Sequence, residues 1–199
     1  STLDLKAGTV SNTSSNAAKS NSANLTHVAA VLADNKSTVN VTEDANITLP
    51  QGYGLGIYSK DGGNTLDISG NVDGGSVSNN QSVGIYLDDS TGTVNIKDGA
   101  TVAGSYSGVE VKAGTLNVTG GTVKSYTTRY YTVHSATTGR DAITIGTAIG
   151  VTPNNADSKI DVNFSGGTTS GNKAIVVLNP DRVSVSLSDI AVDVTGGTI

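Results

Sequence analysis

Gly54-Leu55-Gly56-Ile57-Tyr58-Ser59-Lys60, Ser82-Val83-Gly84-Ile85-Tyr86-Leu87-Asp88 and Tyr106-Ser107-Gly108-Val109-Glu110-Val111-Lys112 are near-copies of one phrase. A second phrase follows each of them: Asn64-Thr65-Leu66-Asp67-Ile68-Ser69-Gly70, Gly92-Thr93-Val94-Asn95-Ile96-Lys97-Asp98 and Gly114-Thr115-Leu116-Asn117-Val118-Thr119-Gly120. The repeat length is about 22 to 28 residues, within the range of solenoids. Alternation at period two predicts strands, with Val83, Ile85 and Leu87 on one face and Gly84, Tyr86 and Asp88 on the other. One such unit cannot bury its apolar face alone, whereas stacked copies share a continuous core. Copies in one orientation pair in parallel, and parallel pairs need a long crossover, which a coil of strands supplies. The expected fold is therefore all-β: a parallel β-helix with irregular loop insertions.

Working outward, Thr2-Leu3-Asp4-Leu5-Lys6-Ala7-Gly8-Thr9-Val10 matches Thr115 to Val123 in residue type, and Val192 to Ile199 returns to the same phrase. The chain thus reads as one β-helix segment over residues 1–199. Repeat that is cut at both ends leaves strand edges open, so the natural protein is expected to continue, and Ser1 in place of an initiator Met marks a processed or excised chain. Insertions are expected at 11–27, at 124–141 and at 152–158. Regular rungs are expected to resume at Ala142-Ile143-Thr144-Ile145. Lys159 to Phe164 reads as the second phrase and Ala174 to Leu178 as the first, with Val183 to Leu187 a further alternating run.

Alignment of the copies predicts inner columns of Ile57, Ile85 and Val109, and of Leu66, Val94 and Leu116. Asp67, Asn95 and Asn117 form an outer column, with Asp4, Asn40, Asp161 and Asp193 assigned to the same slot. Lys60, Asp88 and Lys112 are assigned to one outward slot of alternating sign.

The formal charge of −5, from 12 basic and 17 acidic residues, argues against nucleic acid as a partner. Absence of cysteine excludes a disulfide framework and a thiolate metal site. His27 and His134 have no metal-ligand spacing, and no calcium loop is present, so neither a metal nor a cofactor is expected. Asp88-Asp89, with Asp61 beside Asp89, is the one arrangement that suggests catalysis, because paired carboxylates divide acid and base roles in glycoside cleavage. It lacks a convergent basic partner, so no catalytic residue is assigned. The repeat breaks between Lys124 and Asp141, where Tyr126, Arg129, Tyr130, Tyr131, His134 and Arg140 gather. Tyrosine and arginine are the residues enriched at binding hot spots, and these six are the candidate binding residues; sealing an irregular rung is the competing role.

The paired phrases between Ser82 and Val123 resemble the passenger domains of bacterial type V autotransporters, most closely the pertactin-like and self-associating adhesin passengers. The resemblance extends over most of the chain. It implies a right-handed coil, display on the bacterial surface by a C-terminal outer-membrane barrel, and a role in virulence through adhesion, cell aggregation or biofilm formation. The implied partner is a host receptor protein, a glycan or a second copy of the chain. No GDSGS-like motif of a serine-protease passenger is present. Two alternatives remain: a carbohydrate-active β-helix enzyme or phage tailspike, and a stalk that presents a binding head elsewhere.

Overall fold

A computed structural model describes residues 1–13, 28–76, 81–133, 143–179, 186 and 189–199. Coil by coil, the strands are β1 (Thr2–Leu5) and β2 (Gly8–Ser11); β3 (Ala29–Asp34), β4 (Thr38–Val41) and β5 (Ala45–Thr48); β6 (Tyr53–Lys60), β7 (Thr65–Ile68) and β8 (Asn71–Asp73). Then come β9 (Gln81–Ile96) and β10 (Thr101–Gly104), followed by β11 (Ser107–Val118) and β12 (Thr122–Ser125). A short pair, β13 (Tyr131–Val133) and β14 (Ile143–Ile145), interrupts the series. The coil continues with β15 (Thr147–Val151), β16 (Ile160–Phe164) and β17 (Thr168–Ser170), then β18 (Lys173–Val177) and β19 (Ile190–Val194).

Each full coil contributes three faces. The first phrase stacks as β3, β6, β9, β11, β15 and β18, and the second as β1, β4, β7, β9, β11, β16 and β19. β9 and β11 run through the corner and belong to both faces. A third face, β17-β12-β10-β8-β5-β2, comes from the turn residues that follow the second phrase. All these pairs are parallel. The result is the parallel β-helix that the repeat predicts. The third strand was hidden because only one or two apolar residues, such as Val72 or Val102, mark it.

Ile57, Ile85 and Val109 pair in register, as do Leu66, Val94 and Leu116, and all six are fully buried in the coil. Each side chain of that size contributes about 1.5–3 kcal/mol on burial. The outer polar column runs Asp4, Asn40, Asp67, Asn95, Asn117, Asn163 and Asp193. Asp161, expected there, pairs with Thr115 instead, because β16 enters the face two residues earlier than the aspartate suggests. Along the column, Asn95 Nδ2 donates to Asp67 Oδ1 (3.0 Å), Asn117 to Asn95 (2.9 Å) and Asn163 to Asn117 (3.1 Å). Lys97 Nζ, 2.8 Å from Asp67, holds that carboxyl below its ordinary range.

Three further expectations are corrected. Strict alternation fails at Gly84: a Cβ there would meet core Val102 Cγ1 at 2.9 Å, while Val83 turns to a second apolar cluster on the other side of the strand. Lys112 leaves the outward slot, since pairing slips between Val111 and Ala113, and Ala113 takes the place opposite Asp88. Ile143-Thr144-Ile145 is not a rung. β14 pairs antiparallel with β13 in a separate ribbon, and the coil resumes only at β15. Within the bounds expected for insertions, Ser11 ends β2 and Lys124 and Ser125 end β12; residues 14–27 and 134–142, and all of the Val183 to Leu187 run but Ser186, lie outside the described residues.

Candidate binding surface

The β13–β14 ribbon departs from the coil and lies on the outer side of the first face. Ile143 and Ile145 are fully buried in one apolar cluster with Val28, Leu55, Val83, Tyr86 and Tyr106. Outward apolar residues of this kind would lie in water on a plain rung, and burying them favours an element docked on the outer side. Tyr58 and Tyr86 occupy successive rungs of the outer column, as expected from the repeat, in an edge-to-face contact of 5.5 Å. Tyr86 is buried beneath the ribbon, so it is closed to a partner.

The segment entering the ribbon is tied down at both sides. Tyr126 N–H donates to Gly104 O (2.9 Å), and Asn172 Nδ2 donates to Thr128 O (2.8 Å). Gly146, with φ of 78°, directly follows β14. A Cβ at that position would overlap Arg129 O, so the backbone of Arg129 lies over a glycine that leaves it room.

Of the six candidate residues, Tyr126 is partly buried on the third face. Its hydroxyl donates to Asp73 Oδ2 (3.1 Å), and Lys124 Nζ lies 4.8 Å from its ring centroid. Burial, and after it the neighbouring Asp73 charge, push its pKa up to about 12. Arg129 is exposed and Tyr130 is 39% exposed, side by side in sequence ahead of β13. Tyr131 opens β13 and pairs with Ile145. His134 and Arg140 lie outside the described residues. Among the candidates whose side chains are described, Arg129 and Tyr130 form the accessible part of the patch. Ile143 and Ile145 contribute to the sealing.

The carboxylates considered for catalysis are engaged otherwise. Asp89 is buried, and its oxygens accept from Gly63 N–H, Asn64 N–H (2.8 Å), Asn64 Nδ2 (2.9 Å), Thr91 N–H and Thr91 Oγ1. Asn64 also donates to Ala33 O and accepts from Ser37 N–H, so Asp89 and Asn64 together clasp three successive corners. Asp88 Oδ1 accepts from Asn154 Nδ2 (2.9 Å). An open groove of about 390 Å³ elsewhere brings Lys159, Asp161 and Asp189 together beside Ser90 and Thr115.

Sequence reasoning missed a buried polar cluster beneath the ribbon, made by Glu110, Lys112, Thr144 and Thr152. Its one signal is the charged pair flanking Val111 within a run that is otherwise apolar and small. No protein-family model, no curated protein and no solved structure matches the chain.

Proposed function

We propose that this chain is part of a non-catalytic bacterial surface adhesin, a right-handed β-helical passenger of the type V autotransporter kind. In that reading a C-terminal outer-membrane barrel displays it, and Arg129 and Tyr130, flanked by Tyr126, contact a host receptor, a glycan or a second copy of the chain. The observation that carries the reading is a ribbon raised on an otherwise regular coil, at whose base an exposed arginine and tyrosine sit on anchored backbone. Both residue types suit contact surfaces, since tyrosine and arginine are enriched at binding hot spots. The alternative built on Asp61, Asp88 and Asp89 is weakened because Asp89 is saturated by donors of its own chain.

The test is binding of the purified chain to a glycan array, with sedimentation to detect self-association. Saturable glycan binding, or dimers that grow with concentration, should be lost in Arg129→Ala/Tyr130→Ala at an unchanged melting temperature. Binding that survives this double change would remove the patch from the mechanism. A chain that binds neither glycan nor itself would favour a stalk.

A further inference from the structure

Glu110 and Lys112 project from β11 on the side that the ribbon covers, and both side chains are completely buried. Lys112 Nζ lies 3.3 Å from Glu110 Oε1, donates also to Thr152 Oγ1, and sits 5.4 Å from the centroid of the Tyr86 ring. Glu110 further accepts from Ser107 Oγ (3.3 Å) and Thr152 Oγ1 (2.5 Å), both on the coil. From the ribbon come Thr144 N–H (3.2 Å to Oε2) and Thr144 Oγ1 (2.9 Å). Gly150, paired with Glu110 on the next coil, makes room for this: a Cβ there would overlap both Thr144 Oγ1 and Glu110 Oε2.

A buried ion pair adds little net stability compared with apolar side chains of the same volume, because both charges give up their hydration. Apolar packing of Ile143 and Ile145 is non-directional. The end of β14 is held where Gly146 N–H donates to Tyr106 O and Lys173 N–H donates to Gly146 O. Thr144, between the two isoleucines, adds a directed contact, since its N–H and its hydroxyl both reach the Glu110 carboxylate. Lifting β14 from the coil gives up both of those donors to a carboxylate that is otherwise buried, which is costly. It would also loosen the Arg129 backbone that packs over Gly146.

We infer that Glu110 and Lys112 are positioning residues: they pin the ribbon to the coil at Thr144, and thereby hold in place the backbone on which Arg129 and Tyr130 are presented. Its consequence for binding rests on the adhesin reading, but hydrogen exchange reads the ribbon's placement without any ligand. In Thr144→Val the amides of residue 144, Ile145 and Tyr131 should exchange at least about tenfold faster. Those of Val109, Val111 and Ile149, and the melting temperature, should stay as they are. Thr144→Ser, which keeps the hydroxyl, should restore slow exchange. Gly150→Ala should reproduce the loss from the coil side. Unchanged exchange in both Thr144→Val and Gly150→Ala would overturn the proposal. So would a joint loss of protection in ribbon and coil, which would make the cluster a stability element, or a failure of Thr144→Ser to rescue. Exchange that behaves as expected in a chain that binds neither glycan nor itself would uphold the positioning role and sink the adhesin reading.

Discussion

At Tyr126 the surroundings change an ordinary group. A phenol loses its proton near pH 10 in water, but here partial burial and the Asp73 carboxylate oppose the phenolate, and the pKa rises to about 12. The folded chain therefore keeps this proton where the unfolded chain has lost it. The contribution to stability is fully present below pH 10 and declines as pH rises towards about 12. A spectroscopic titration at 295 nm should show tyrosines ionising late, Tyr126 together with Tyr53, whose pKa burial also raises, and Asp73→Asn should bring the Tyr126 part to lower pH. An unmoved midpoint in Asp73→Asn would show that the aspartate does not act on it. Asp89 teaches a related lesson. As a bare sequence, Asp88-Asp89 suggests chemistry, yet Asp89 is spent on joining corners. Substituting it should lower stability, because those donors would lose their acceptor.

At the scale of elements, three successive first-phrase strands, β6, β9 and β11, carry a glycine where the third face comes close. Gly56, Gly84 and Gly108 stand in one column, and a Cβ on each would come within 3 Å of the valine that the third face sends across the core: Val72, Val102 and Val123. The column of small residues lets the two faces close at that corner. Gly84→Ala should therefore cost about 1–3 kcal/mol, as overpacking generally does, read as a lower denaturation midpoint at unchanged slope. A neutral result would mean that the corner relaxes at no cost. The ribbon follows the opposite logic. Ile143 and Ile145 have the pattern of a strand and form one, but they pair with Tyr131 to Val133 and not with the coil. Local pattern cannot tell these outcomes apart. The choice depends on Val83, Tyr86 and Tyr106 presenting an apolar outer patch far away in sequence.

For the molecule as a whole, contacts run between neighbouring coils, so stability is close to a sum of local coil and interface contributions. Among the described residues, β9 and β11 have paired strands on both sides, whereas β1 pairs with β4 alone and β19 with β16 alone. Amide protection should be greatest around Ile85, Val94, Val109 and Leu116, and fall towards Leu3 and Val192. Uniform protection across the chain would mean that the coil unfolds as one cooperative body. How much of this was legible follows from the same locality. Parallel stacking, the inner columns and most of the polar column follow from repeated phrases, because in a solenoid identical sequence meets itself one turn later. The sequence by itself also marked the irregular segment that bears Arg129 and Tyr130. Only the tertiary structure decided that Asn163, not Asp161, continues the polar column, that Lys112 is buried beside Glu110 under the ribbon, and that Thr144 meets them there. The reason is physical: each of these depends on how many residues a corner consumes and on what covers the outer face. Neither quantity is periodic, so no repeat can announce it.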